Sequence, residues 1–212
     1  MDTMKYKHII FDIDGTMLDS AYADLTALQR VLFELQNKKY PISELSFALG
    51  IPGEVALMQL GINEVSMANQ LWNSYMQELS CTMKLFDGVM ELLVELKNRG
   101  VKLGIITSKN KKEFDNDFIP FGIDTYFDTV ITVEDSVAPK PSAEPMLAYL
   151  SRTGINPQEA LYIGDTNYDR ACAAGAGVDF GLATWGCYPA KQVNATYYFE
   201  KPMDVVHLLV QR

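Results

Sequence analysis

Short apolar runs alternate along this chain with segments of helical periodicity. Five runs have the length and composition of buried strands: His8–Phe11, Lys102–Ile106, Thr129–Ile131, Ala160–Ile163 and Phe180–Ala183. Runs without polar alternation are typical of strands covered on both faces, as in parallel sheets. Between them, apolar positions recur at helical spacing, as from Val89 to Leu96 before a stop at Gly100. The pattern predicts an α/β fold with a doubly wound, mostly parallel sheet.

One long segment interrupts this alternation. Residues 12–101 separate the first predicted strand from the second and show no convincing strand, although a crossover needs far fewer residues. Two helical stripes run through the segment: Leu25, Leu28, Leu32 and Leu35, then Val65, Ala68, Trp72, Tyr75 and Leu79. We therefore predict an inserted helical subdomain over residues 18–81, whose stripes form its core, and an α/β core of residues 1–17 and 82–212. Hinges are expected near Met17–Ser20 and Thr82–Asp87. At the end of the chain, Tyr197–Phe199 and Pro202–Leu209 predict an edge strand and a closing helix.

Composition and charge narrow the class of partner. The chain has 212 residues, 48% of them apolar, and a formal net charge of −9. An acidic surface repels nucleic acid and anionic lipid, and no run is long enough to span a membrane. The three cysteines form no CxxC pair, which favours reduced thiols and a cytoplasmic location. We expect a small-molecule ligand and a monomer or homodimer.

Asp12 and Asp14 follow the first predicted strand within a D-I-D-G-T motif. In open α/β sheets, ligands bind beyond the carboxyl ends of the strands. Side chains two residues apart can point the same way, and like charges so close favour a bound cation or a shared proton. A solvated acidic loop is the alternative. A calcium loop is excluded because no further ligands follow at the required offsets.

Polar residues also follow later strands. Thr107 and Ser108 offer a hydroxyl and backbone N–H groups to an anionic oxygen, although a helix N-cap would explain them as well. Lys140, between two prolines, is either a cation for a phosphoryl group or a solvated loop lysine. Asp165 and Asp169 precede an Ala/Gly-rich helix, and one N-cap accounts for only one of them.

Taken in order, these motifs resemble the haloacid dehalogenase (HAD) superfamily. The match runs from D-I-D-G-T through a strand ending in Thr-Ser and a Lys-Pro pair to G-D-T-x-x-D. The helical insert lies where that superfamily carries one type of cap, and the resemblance covers nearly the whole chain. Ala183–Gly186 resembles the phosphoglycolate phosphatase branch. The resemblance implies a HAD-like, Rossmannoid core and a Mg²⁺-dependent phosphatase for a small phosphomonoester.

The resemblance also implies the chemistry. Asp12 would attack phosphorus and become an aspartyl-phosphate, while Asp14 would protonate the leaving group and then activate water. Mg²⁺ would be bound by the carboxylates of Asp12 and Asp165 and by the backbone carbonyl of Asp14. The magnesium site and the nucleophile would therefore share one carboxylate.

The same resemblance implies how the substrate is held. Thr107, Lys140 and a backbone N–H near Ser108 would hold the phosphoryl oxygens. Asp169 would orient Lys140 or a metal-bound water. The loop formed by Leu49, Gly50, Ile51 and Pro52 resembles the cap loop that reaches toward the active site.

Other reactions remain open within this superfamily. A dehalogenase acting on carbon uses one aspartate and no Mg²⁺, and Asp14 with the Asp165–Asp169 pair argues against it. A sugar-phosphate mutase shares the cap type and magnesium site but often has valine at the position of Thr16, which favours a phosphatase. A phosphonate hydrolase would need a cap lysine. A non-catalytic phosphate-binding relative is the remaining alternative, and the intact motifs argue against it.

The insert suggests the character of the leaving group. Residues 41–80 contain no lysine or arginine but four acids, Glu44, Glu54, Glu64 and Glu78. A second anionic group on a substrate needs a cation to meet it. We therefore hypothesise a neutral or apolar leaving group, unless Arg30 or residues of the core supply the missing charge.

Overall fold

The computed structural model describes residues 4–187 and 193–210, so residues 1–3, 188–192 and 211–212 of the predicted core lie outside the described residues. Its strands are β1 (His8–Phe11), β2 (Leu18–Asp19), β3 (Lys84–Leu85), β4 (Lys102–Ile106), β5 (Thr129–Ile131), β6 (Ala160–Gly164), β7 (Asp179–Ala183) and β8 (Tyr197–Phe199). Its α-helices are α1 (Ala21–Gln36), α2 (Ile42–Leu45), α3 (Gly53–Gln59), α4 (Val65–Glu78), α5 (Val89–Asn98), α6 (Lys111–Asp117), α7 (Glu144–Thr153), α8 (Asn167–Gly175) and α9 (Asp204–Val210). The five predicted strands are confirmed.

Six strands form one parallel sheet in the order β5-β4-β1-β6-β7-β8. β1 lies between β4 and β6, with Phe11 paired to both Ile105 and Ile163. This register brings the carboxyl ends of the three central strands to one edge, so the residues that follow them meet there. β8 is an edge strand and α9 follows it, as the sequence predicts.

Helices cover both faces of the sheet, which makes the core doubly wound. On one face, α5 buries Leu92, Leu93 and Leu96. On the other, α7 and α8 bury Met146 and Cys172 against the sheet. The strands read as continuous apolar runs because they are buried on both sides.

Helices α1–α4 pack around an apolar cluster of their own. Leu25, Leu28 and Leu32 of α1 meet Trp72 and Met76 of α4 in this cluster. The predicted stripes therefore form a helical-bundle core. We refer to residues 21–82 as the cap.

The expectation of no strand between β1 and β4 is wrong in one respect. β2 and β3 form a two-stranded antiparallel ladder, with Leu18 opposite Leu85 and Asp19 opposite Lys84. Strands of two residues are too short for any periodicity to show in the sequence. The ladder joins the two segments in which hinges were predicted, so both crossings between core and cap lie side by side.

No helix among the described residues is long and apolar enough to cross a membrane.

Candidate active site

Charged side chains converge beyond the carboxyl ends of β1 and β6. Four of them are almost fully buried, with exposed fractions of 2% for Asp12, 2% for Lys140, 5% for Asp165 and 0% for Asp169. The ammonium Nζ of Lys140 lies 2.9 Å from Oδ1 of Asp12 and 2.6 Å from Oδ1 of Asp169. Burial alone would lower the pKa of Lys140, but these two carboxylates raise it above its usual range. Lys140 is therefore a fixed cation at the floor of the site.

Asp12, Asp165 and Asp169 form a compact group of carboxylates. One ligand oxygen from each lies within 4.8 Å of the others. Burial, with repulsion from Asp169 and Asp12, raises the pKa of Asp165 well above its usual range. Burial likewise raises the pKa of Asp12 to about 7, although Lys140 opposes the shift. Three buried carboxylates with one lysine leave an excess of negative charge that a divalent cation would neutralise.

The hydrogen bonds distinguish which carboxylates are available to a metal. Oδ1 of Asp169 accepts from Lys140, while Oδ2 accepts from the Thr166 N–H at 3.0 Å and from its hydroxyl at 2.5 Å. Among the described residues, the one side-chain donor to Asp165 is the Thr16 hydroxyl, at 3.3 Å. Oxygen ligands of this kind suit Mg²⁺. The donor set therefore fits magnesium at Asp12 and Asp165, with Asp169 engaged by the protein.

Tyr162 is a member of the site that sequence reasoning missed. Its hydroxyl is fully buried and lies 3.0 Å from Oδ1 of Asp169, 3.0 Å from the carbonyl oxygen of Ile106 and 3.3 Å from Nζ of Lys140. Tyr162 lies inside an apolar strand, where its pattern is that of a core residue. The signal in the sequence is a tyrosine within an apolar strand, because a buried tyrosine hydroxyl needs a hydrogen-bond partner.

Asp14 lies at the mouth of the site, with a quarter of its side chain exposed. Oδ1 accepts from the Ser20 hydroxyl at 2.7 Å, and Oδ2 lies 3.2 Å from Nζ of Lys109. The turn that brings Asp14 here requires Gly15, which has φ +76° and whose added Cβ would lie 2.3 Å from Oδ2 of Asp165. Asp12 and Asp14 thus lie at the same edge of the sheet with different surroundings.

Thr107 and Ser108 follow β4 at the same edge. Thr107 is buried, and its hydroxyl oxygen accepts the N–H of Lys109 at 3.2 Å. The Ser108 hydroxyl donates to the carbonyl oxygen of Gly50 at 3.0 Å, which joins the core to the cap. The side chain of Ser108 thus contacts the cap loop, and its backbone N–H is the group left for an anion.

The predicted cap loop divides into two parts. Gly50 and Ile51 line the cleft between cap and core. Leu49 packs against the apolar cluster of the cap, and Pro52 precedes α3. The loop reaches the site through its tip.

The cleft encloses about 580 Å³, including the part open to solvent. Asp12, Asp14, Ser108 and Lys140 lie on its core side. Besides the small Ala48 and Gly53, eight lining residues lie outside the predicted motifs: Asp24, Asn69, Trp72, Asn73, Met76, Lys109, Glu113 and Asp117. They come from α1, α4, α6 and the β4–α6 loop, so only the fold brings them together.

Lys109 connects elements of the core, and Glu113 connects the core to the cap. Nζ of Lys109 lies 3.0 Å from Oδ2 of Asp117, besides its contact with Asp14. Oε1 of Glu113 accepts from the amide Nδ2 of Asn73 at 3.2 Å and of Asn69 at 3.4 Å. A capping box with Asn110 engages Oε2 of Glu113 at the start of α6, which leaves Oε1 to face the cap.

The chain is similar to known proteins in sequence and in fold. The sequence profile of the family described as haloacid dehalogenase-like hydrolase matches residues 9–183, which include every member of the charged cluster. Pyrophosphatase PpaX from Bacillus velezensis is 28% identical over 204 residues, covering 94% of this chain and 94% of that protein. Phosphoglycolate phosphatase from Aquifex aeolicus is 27% identical over 204 residues, covering 95% of each. The crystal structure of a HAD-superfamily hydrolase of subfamily IA from Geobacter sulfurreducens matches with a TM-score of 0.77 and 30% identity, covering 96% of this chain and 100% of that one.

Proposed function

Because this chain belongs to the haloacid dehalogenase-like hydrolase family, we propose that it is a Mg²⁺-dependent phosphatase that forms an aspartyl-phosphate on Asp12. The observation that carries this proposal is the buried Lys140 between Asp12 and Asp169, with the carboxylate of Asp165 beside them. The relatives named above are a pyrophosphatase and a phosphoglycolate phosphatase. Their names agree on phosphate hydrolysis and differ in the leaving group.

The first step is attack by a carboxylate oxygen of Asp12 on phosphorus, which forms a P–O bond as the bond to the leaving group breaks. Lys140 neutralises charge on the phosphoryl oxygens, and the Ser108 N–H and the Thr107 hydroxyl hold them in place. Asp14, at the cleft side of the nucleophile, gives its proton to the departing oxygen. Asp14 then takes a proton from the water that hydrolyses the acyl phosphate.

The carboxylates of Asp12 and Asp165 and the backbone carbonyl of Asp14 are the groups that would hold Mg²⁺. The ion would supply charge neutralisation, which lets an anionic phosphate approach an anionic nucleophile. Asp169 keeps Lys140 aimed at Asp12 through its 2.6 Å contact. The cap would close over the bound ester and exclude bulk water from the first transfer.

A single experiment tests this proposal. Release of inorganic phosphate is measured with p-nitrophenyl phosphate and a panel of nucleotides, sugar phosphates, phosphoglycolate and pyrophosphate, each with Mg²⁺ and with EDTA. We expect release that needs Mg²⁺ and is lost in Asp12→Asn. Asp115→Asn, on an exposed carboxylate of α6, is the control and keeps the activity. Equal rates in wild type and Asp12→Asn would contradict the proposal.

A further inference from the structure

The end of the cleft lined by α4 and the start of α6 would hold the leaving group of the ester. Asn69, Trp72, Asn73 and Met76 of α4 form its cap wall, and Glu113 of α6 faces them from the core. Asn69, Trp72 and Met76 are buried by their neighbours and so form a fixed wall. The leaving group of the ester must therefore be complementary to these side chains of α4 and α6.

The cations of this cleft are already paired. Among its described lining residues, Lys140 and Lys109 are the only lysines or arginines. Lys140 lies between Asp12 and Asp169. Lys109 lies between Asp14, at 3.2 Å, and Asp117, at 3.0 Å. Burial alone would lower the pKa of Lys109, but these carboxylates raise it. In the proposed mechanism Lys140 serves the transferring phosphoryl group, and the charge of Lys109 is balanced by two carboxylates, so no net positive charge remains for a second anion on the substrate.

The remaining polar groups at this end are mainly acceptors. Glu113 has its carboxylate held by Asn110 on one oxygen and by amide N–H groups on the other. The amides of Asn69 and Asn73 each use one N–H of Nδ2 on Glu113, so each keeps one N–H and a carbonyl oxygen that can accept. Asp24 adds a further carboxyl group from α1. A carboxylate or phosphate placed here would meet mainly acceptors and negative charge, with a desolvation cost that two amide N–H groups offset less well than a cation would.

Resting on the proposed phosphatase function, we infer that this site is built for a leaving alcohol that is not anionic and presents hydrogen-bond donors. Hydroxyl groups of a polyol or sugar, or the ammonium of an amino alcohol, would donate to Asp24, Glu113 and the asparagine carbonyls. Trp72 and Met76 would cover the carbon skeleton. The site would discriminate against phosphoglycolate and pyrophosphate, whose leaving groups are anions. This separates the chain from the substrates in its relatives' names.

Three phosphomonoesters of equal chain length test this inference: 2-hydroxyethyl phosphate, 2-aminoethyl phosphate and phosphoglycolate. They differ in one terminal group, and the first two distinguish a polyol from an amino alcohol. We expect kcat/KM for the better of these two to exceed that for phosphoglycolate by at least about tenfold. p-Nitrophenyl phosphate is measured in parallel because it reports the chemistry without a terminal group.

Variants that change the positive charge available in the cleft test the role of Lys109. Asp117→Asn frees Lys109 of one partner, and we expect the phosphoglycolate to 2-hydroxyethyl phosphate ratio of kcat/KM to rise about tenfold. Using the ratio cancels any general effect on Asp14 or on folding. Asp115→Asn, two residues away and exposed, is the matched control and leaves the ratio unchanged. If Asp117→Asn does not fold, Asn73→Lys places a cation at the same end, and the same rise is expected.

The outcomes distinguish a failure of the leaving-group inference from a failure of the proposed phosphatase function. If the protein hydrolyses p-nitrophenyl phosphate but prefers phosphoglycolate to both 2-hydroxyethyl phosphate and 2-aminoethyl phosphate, this inference is overturned and the proposed function stands. An unchanged ratio in the folded variant overturns it as well. No Mg²⁺-dependent release from any compound overturns the proposed function, and the inference falls with it.

Discussion

At the scale of single residues, the position of Lys140 depends on Tyr162, whose hydroxyl touches both Lys140 and Asp169. In Tyr162→Phe we expect kcat to fall about tenfold with KM within about twofold, because the lysine loses a positioning partner while the substrate contacts remain. Stability should fall by about 1 kcal/mol from the lost buried hydrogen bond. Steady-state kinetics and urea unfolding measure the two effects.

Tyr149→Phe is the matched control for this prediction. Tyr149 is equally buried, and its hydroxyl lies 2.9 Å from Nδ1 of His8, far along the sheet from the site. It should lose similar stability without any change in kcat. A parallel fall of kcat in both variants would show that Tyr162 acts only through the fold.

The sequence predicts some of the site residues and not others. Asp12, Lys140 and Asp165 lie at strand ends or beside prolines, where polar residues interrupt apolar runs. Tyr162 and Glu113 could not be assigned in this way, because each reads locally as a core residue or a helix start. Their contacts with Asp169 and Asn73 arise only when separate elements pack together.

At the scale of elements, the tip of the cap loop contacts the core through Gly50, which has φ +86°. An added Cβ there would lie 2.9 Å from Cγ2 of Thr166. We expect Gly50→Ala to cost about 1 kcal/mol through backbone strain and to lower kcat/KM several-fold by displacing the loop from the cleft. Gly61→Ala has a similar φ of +74° with nothing within 4 Å, and serves as the control.

The comparison of these two glycine variants distinguishes the loss of the loop's contact with Thr166 from the backbone strain that both substitutions cause. Gly61→Ala should lose similar stability and keep its kcat/KM. Equal kcat/KM values for both variants would mean that closure of the loop does not limit catalysis. Thermal unfolding and kinetics with one phosphomonoester give both quantities.

Asp128 joins β4 to the segment that leads into β5. It accepts from the Leu103 N–H at 3.0 Å and from the ammonium groups of Lys102 and Lys97 at 3.0 and 3.1 Å. Burial alone would raise the pKa of Asp128, but these bonds lower it to about 2. Because the folded pKa lies below the unfolded one, the stabilisation is present above about pH 4 and is lost as the pH falls toward 2.

The corresponding prediction concerns stability. Asp128→Asn should destabilise the protein by about 1 kcal/mol at pH 6, a value reduced by solvent screening. The difference from wild type should shrink as the pH falls below about 4. Urea unfolding at a series of pH values measures it, and a difference independent of pH would refute the assigned role.

The elements were predictable to different degrees for a physical reason. Strands buried on both faces produce apolar runs, so β1, β4 and β6 could be located within a residue. The β2–β3 ladder could not be predicted, because its pairing is set by the meeting of two distant segments. The helical character of the insert was clear from its stripes, whereas its contacts with α6 were not.

At the scale of the whole molecule, a metal ion bound at the cluster of Asp12, Asp165 and Asp169 would stabilise the folded state. A cation bound only by the folded state raises the free energy of unfolding by about 2.7 kcal/mol at a hundred times its Kd. We expect Mg²⁺ to raise the melting temperature by several degrees at constant ionic strength. Asp165→Asn should reduce this shift strongly, and Asp115→Asn should not. Equal shifts in all three proteins would place the metal elsewhere.

The covalent step is the central claim, and rapid acid quenching followed by mass spectrometry tests it most directly. Asp14→Asn is mixed with p-nitrophenyl phosphate, whose leaving group needs no proton, so that formation of the acyl phosphate proceeds while its hydrolysis is slowed. The account predicts that one phosphoryl group accumulates on the peptide containing Asp12. A turnover with no phosphorylated protein, or with the phosphoryl group on another residue, would contradict it.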